Sequence, residues 1–165
     1  MPCTRFLSPA ENLDTPVPVG RREAHPDDLA ALVELDGLCF ARRAWSVKAW
    51  WEVVTLPEWT TVVLTLAREV IAASALLPAA PVSFLASLAV HPEHRRRGLG
   101  RLLLCDALAR ARNASARWLS LEVDRENRGA MAMYQREGFG VLRRFREEGR
   151  WRQEMVRRLG GTSGV

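Results

Sequence analysis

The chain has 165 residues and a mass of 18.5 kDa, room for one domain with a proper core and too little for two. Hydrophobic residues make up 48% and charged residues 26%, which excludes a disordered or fibrous class. The net charge of +5 is uneven: residues 1–90 carry 7 basic and 10 acidic side chains, residues 91–165 carry 17 and 9.

Residues 1–16 hold three prolines and no apolar period, and read as a flexible leader. The domain proper is expected to span 17–160, with 161–165 a disordered tail. Val17 to Arg22 has the look of a short edge strand. His25-Pro26-Asp27-Asp28 then opens a helix, because proline and acids suit a first turn whose N–H groups are free. Leu29, Leu32, Val33, Leu35 and Leu38 recur at helical spacing to about Phe40. Ser46 is the expected N-cap of a second helix carrying Trp50, Trp51 and Val54, stopped by Pro57.

Trp59 to Leu66 is β-branched and predicts a strand. From Val70 to Val90 the chain has no charge over 21 residues, long enough to span a bilayer. Pro78 and Pro81 break that run, and two strands joined by Pro78-Ala79-Ala80-Pro81 account for it better. No signal-peptide layout opens the chain, and a cytoplasmic protein without a membrane span is expected. Cys3, Cys39 and Cys105 are an odd set with no Cys-x-x-Cys pair, which argues against a disulfide framework and a structural zinc. His91 and His94 lack a third ligand in view, so no metal is expected.

The most informative stretch is Val90-His91-Pro92-Glu93-His94-Arg95-Arg96-Arg97-Gly98-Leu99-Gly100-Arg101. A buried strand ends, a basic loop follows, and a helix begins. Such a helix start offers unpaired N–H groups and positive dipole to an anion. Glycine at 98 and 100 removes Cβ atoms that would keep a phosphate away. No Walker loop or full Gly-x-Gly-x-x-Gly fingerprint is present. The helix runs to Asn113, with Leu99, Leu102, Leu103 and Leu108 inward. Arg117 to Val123 is a strand, Asn127 to Glu137 a helix with an Asn N-cap and Gly138 at its end, and Phe139–Arg146 and Arg150–Leu159 a final strand pair.

Arg95-x-x-Gly98-x-Gly100, directly after Leu88-Ala89-Val90-His91-Pro92, resembles the acyl-CoA pyrophosphate loop of the GNAT superfamily of N-acyltransferases. The resemblance covers about residues 17–158. It implies the α/β GNAT fold, a mixed and mostly antiparallel sheet of about seven strands with helices on both faces. It also implies acetyl-CoA as co-substrate, held by the backbone of Arg96, Arg97, Gly98, Leu99, Gly100 and Arg101. Arg95 stands at the motif's Arg/Gln position, and Leu88, Ala89 and Val90 would pair with the pantetheine arm.

Within the strand Trp118 to Val123, alternation sets Leu119, Leu121 and Val123 on one face and Glu122 on the other. A glutamate there is costly unless solvated, paired with an arginine or used. Leu121 to Asn127, then Ala130, Ala132, Tyr134 and Gly138-Phe139, resembles the ribosomal-protein-alanine N-acetyltransferase branch. That resemblance implies Glu122 as general base, Tyr134 as general acid and Asn127 as a CoA contact, with a protein N-terminal α-amine, such as that of a ribosomal protein, as acceptor. Tyr134 is the only tyrosine of the chain. An α-amine with pKa about 8 is partly neutral at pH 7 whereas a lysine at about 10.4 is not, so a carboxylate acting through water suffices for the former.

Cys39-Phe40 and Trp45-Ser46 resemble the same branch's acceptor-side turn, with Ala41-Arg42-Arg43-Ala44 between them and no proline. The branch's tyrosine pair after Gly-Phe is missing; Phe145-Arg146-Glu147-Glu148-Gly149 stands there. Arg143, Arg144 and Arg146 offer instead to recognise an acidic acceptor or a ribosomal surface. A small-molecule amine acceptor of the same fold, and a non-catalytic CoA- or RNA-binding protein, are the alternative readings. No recognised nucleic-acid motif accompanies the basic half.

Overall fold

The computed structural model describes residues 18–160; the expected leader at 1–16, Val17 and the tail at 161–165 lie outside the described residues. The elements run β1 (Gly20–Glu23), α1 (Leu29–Phe40), α2 (Val47–Thr55), β2 (Thr60–Leu66), β3 (Glu69–Leu77), β4 (Val82–Val90), α3 (Leu99–Asn113), β5 (Trp118–Asp124), α4 (Arg128–Arg136), β6 (Gly140–Glu147) and β7 (Arg150–Arg158), with short 3-10 turns at Pro26–Asp28, Ala41–Arg43 and Pro92–His94. Local signals place most of these boundaries. The Ser46 hydroxyl accepts from the Ala49 N–H at 3.1 Å and starts α2. Asn127 Oδ1 does the same for Ala130 at the start of α4, also at 3.1 Å, and Gly138 leaves that helix at φ +85°.

The seven strands form one sheet in the order β1-β2-β3-β4-β5-β7-β6. Every neighbouring pair is antiparallel except β4 and β5. A parallel pair needs a long crossover, and α3 supplies it. The uncharged run at 70–90 becomes β3 and β4. Among the described residues no helix is long and apolar enough to cross a membrane.

Alternation along β2 serves both faces of the sheet. Val63 packs with Leu32, Leu35, Trp50 and Val53 of α1 and α2, while Val62 and Leu64 pack with Leu99 and Leu103 of α3. Small residues on β3, Ala72, Ala73 and Ala75, are fully buried and let helices approach from both sides. A third cluster joins α3 and α4 to Leu119, Leu121, Val123 and Met155 of β5 and β7. Each buried leucine contributes about 1.5–3 kcal/mol relative to exposure.

One inward assignment is corrected: Leu102 is 39% exposed, while its neighbour Leu103 is fully buried. On α1 and α2, Asp36 and Trp50 take buried positions and Leu38 and Trp51 are exposed.

Candidate active site

Two irregularities in the sheet create the site. On β4 the register against β3 slips between Ala75↔Ser87 and Leu76↔Leu85, so Ala86 is the extra residue of a bulge. On its other side β4 pairs with β5 only as far as Leu85↔Leu121. Beyond that point β3 still holds β4 to Val90, and β7 still holds β5 to Asp124. The two inner edges therefore diverge.

A cleft of about 610 Å³ opens in the divergence. Its floor is Leu85 to Leu88 and Leu121 to Asp124. One wall is the α1–α2 segment around Cys39 and Arg43, and the other is α4 with the β6–β7 hairpin. Four of the expected site residues meet here: Leu88, Glu122, Asn127 and Tyr134 all line the cleft. Ala89, Val90 and the loop Arg95 to Arg101 lie outside its lining, at the C-terminal end of β4.

That loop is built as a helix start. His91 Nδ1 accepts from the Glu93 N–H and caps the 3-10 turn, and Arg95 Nε donates to the Val90 carbonyl at 3.1 Å. Arg96 and Gly98 both take positive φ, 63° and 78°, just before the first turn of α3, whose leading N–H groups have no partner within the helix. A Cβ on Gly98 would meet nothing within 4 Å, whereas one on Gly100 would lie 3.3 Å from Met133 Sδ and 3.6 Å from Leu88 Cδ2. Gly98 thus serves the loop conformation. Gly100 lets the first turn of α3 pack against α4 and β4, a reason different from the phosphate approach the sequence suggests. Arg95, Arg96 and Arg97 are exposed around this turn. A left-handed turn with open space beside it, the free N–H groups of a 15-residue helix and three cations fit a pyrophosphate.

Tyr134 is 6% exposed and packs on Phe139 with ring centroids 5.7 Å apart. Burial pushes its hydroxyl up to about 12, so it stays protonated across the physiological range. Glu122 is ion-paired: Arg152 Nη1 donates to its Oε2 at 3.1 Å. Its side chain nevertheless keeps 28% exposure toward the cleft. Pairing with an arginine and facing the cleft, which the sequence sets as alternatives, both hold.

Several lining residues carry no motif of their own. Asp36 is 1% exposed and accepts the Trp45 N–H at 2.5 Å, and burial pushes its carboxyl above the usual range against the pull of that N–H. Arg43, Glu147 and Arg152 form ion pairs across the cleft. Only the helical position of Asp36 among apolar neighbours could have flagged it. Cys39 donates its thiol to the Val90 carbonyl at 3.3 Å, and burial raises its pKa, the state of an inert thiol. Arg143, Arg144 and Arg146 do not line the cleft. Arg143 pairs with Glu154 at 2.6 Å and Arg146 sits 5.8 Å over the Trp151 ring, so these side chains stand on the outer surface of the β6–β7 hairpin. Among the described residues no group of three metal-ligating side chains occurs.

The profile of the acetyltransferase (GNAT) family matches residues 26–139. The chain belongs to the GNAT family. It is an acetyl-CoA-dependent N-acetyltransferase, and its seven-stranded sheet with four helices is the GNAT fold. No curated protein sequence matches the chain. Among solved structures, the ribosomal-protein-S18-alanine N-acetyltransferase from Escherichia coli superposes with a TM-score of 0.79 at 22% identity, over 89% of this chain and 99% of that one. NAA60 from Arabidopsis thaliana, solved with a bisubstrate analogue, gives 0.79 at 16% identity, over 88% and 100%. The yncA protein from Salmonella typhimurium, solved with its cofactor acetyl-CoA, gives 0.73 at 19%, over 90% and 98%. The first of these belongs to the branch that the motifs resemble. At such identities the likeness is one of fold.

Proposed function

We propose that this GNAT cleft acetylates a protein N-terminal α-amine, with Glu122 as general base and Tyr134 as general acid. The observation that carries the reading is the convergence of these two side chains on the cleft where β4 and β5 part. Acetyl-CoA supplies the activated acetyl thioester. The amine nitrogen bonds to the acetyl carbon as the carbon–sulfur bond breaks. Glu122, directly or through water, takes the amine proton, and Tyr134 gives its proton to the departing sulfur; solvent then restores both.

The loop Arg95 to Arg101 holds the pyrophosphate at the α3 N-terminus. The free edge of β4 at Leu88 and Val90 accepts an extended amide chain as a further strand would. Asn127 keeps its N-cap bond through Oδ1 and still has its amide N–H groups for CoA. A carboxylate is a weak base, adequate for an α-amine and poorly matched to a lysine. Likeness of fold to the Escherichia coli enzyme supports a ribosomal protein as acceptor.

A small amine is the second reading, favoured by the ion pair of Arg43 with Glu147 across the cleft. In either case Glu122→Gln and Tyr134→Phe are expected to lower kcat by about 10²-fold or more while leaving the Kd for acetyl-CoA within twofold or so. Full turnover by both variants would remove the assigned roles.

A further inference from the structure

Four side chains of alternating charge cross the cleft in a line. Glu122 on β5 is held by Arg152 on β7, Arg152 by Glu147 at the end of β6, and Glu147 by Arg43 in the 3-10 turn after α1. Arg152 Nη1 serves both carboxylates, Glu122 at 3.1 Å and Glu147 at 2.6 Å. Glu147 Oε2 in turn receives both guanidinium groups, that of Arg152 and that of Arg43. All four residues line the cleft. Arg43 and Glu147 stand on opposite walls, 104 positions apart in sequence.

The two arginines have few other partners. Arg43 Nη1 and Arg152 Nε are buried and without a hydrogen bond, and the Arg152 and Arg43 side chains are 19% and 23% exposed. Their charges are matched by Glu122 and Glu147 alone among the ion pairs they make. Arg152 also stands 5.9 Å from the centroid of the Phe145 ring. The segment carrying Arg43 is pinned at its far end, where buried Asp36 accepts the Trp45 N–H.

We propose that Arg43 and Glu147 form an ionic strap closing the acceptor end of the cleft, and that Arg152 couples this strap to Glu122 as a positioning residue. The proposal rests on the acceptor groove and the role of Glu122 given above. Its Glu147 lies in the stretch Phe145 to Gly149, where the branch that the sequence resembles carries its tyrosines. A closure made of charge differs from an aromatic one in a measurable way: salt weakens it.

Arg43→Gln, Glu147→Gln and the double variant are compared with the wild type, using a peptide with a free N-terminal alanine. Amide hydrogen exchange of residues 41–46 and 147–150 is followed in the same proteins without any acceptor. Each single variant is expected to raise the acceptor KM by about fivefold at low salt, an effect that shrinks as salt rises. The double variant should be no worse than Glu147→Gln alone, the KM for acetyl-CoA should not move, and both segments should exchange faster.

Arg152→Gln is expected to lower kcat with the acetyl-CoA KM kept, and Arg152→Lys to recover part of the loss. Additive effects of Arg43→Gln and Glu147→Gln, or unchanged exchange at 41–46 in both, would overturn the strap. Unchanged kcat in Arg152→Gln would overturn the positioning role. Should the wild type acetylate no peptide, the acceptor reading fails, and the exchange comparison still decides the strap.

Discussion

Leu85 faces Leu121 in the last paired step between β4 and β5. Each strand continues past that pair with only its outer neighbour, β4 against β3 and β5 against β7. The unpaired inner edges are then available to a ligand with amide groups of its own. The divergence also turns Glu122, one residue past the pair, into a cleft residue rather than a member of a closed sheet. Fold and site share this cause.

Tyr134 links the site to alkaline stability. Its folded pKa, about 12 through burial, lies above the ordinary value of 10. A raised pKa means that its contribution is fully present below pH 10 and lost as pH rises through 12. Two units correspond to about 2–3 kcal/mol. In urea titrations at pH 9 and pH 11.5, the wild type should lose stability relative to Tyr134→Phe. Parallel curves for the two proteins would show that the hydroxyl is not desolvated.

The two glycines of the loop predict different outcomes. Gly98→Ala meets open space but must hold φ +78°, costing about 1–2 kcal/mol of backbone strain and weakening acetyl-CoA binding at the α3 N-terminus. Gly100→Ala is tight only against the flexible Met133 thioether at 3.3 Å, with Leu88 Cδ2 at an ordinary 3.6 Å; alanine's better helix propensity offsets the overpacking, leaving a cost under about 1 kcal/mol. Melting temperatures and acetyl-CoA titration of both variants decide this. Equal effects would contradict the assignment.

Much of this is legible in the sequence, for physical reasons. The caps at Ser46 and Asn127, the glycines at 98 and 138 and the prolines at 78 and 81 act locally, so their geometry is encoded where they stand. Glu122 stands out because a charge among Leu121 and Val123 needs an explanation. Arg43, Glu147 and Arg152 were not legible as a group. Each is an ordinary surface arginine or glutamate until a 104-residue separation is folded away. The inward reading of Leu102 fails because helical spacing leaves two or three candidates per turn, and packing alone chooses.

Asp36 predicts an acid-side effect. Burial raises its folded pKa above the usual carboxylate value, so its contribution is fully present below about pH 4 and lost as pH rises through the raised pKa. Asp36→Asn keeps an acceptor for the Trp45 N–H and carries no charge to desolvate. Denaturation midpoints should show the Asn variant gaining on the wild type from pH 4 to pH 7. Asp36→Ala should lose about 1–3 kcal/mol at pH 4, because the Trp45 N–H is left unpaired, and the deficit should shrink as pH rises toward 7. A constant difference between the Asn variant and wild type across this range would contradict the account.

The most direct measurement is CoA thiol release with acetyl-CoA and two peptides, one with a free N-terminal alanine and no lysine, the other with a blocked N-terminus and one internal lysine. The account predicts release with the first alone, and a matching acetyl mass gain on its N-terminus. Release with the second alone, or with neither while acetyl-CoA still raises the melting temperature, would contradict the α-amine acceptor and leave the GNAT fold and its cofactor standing.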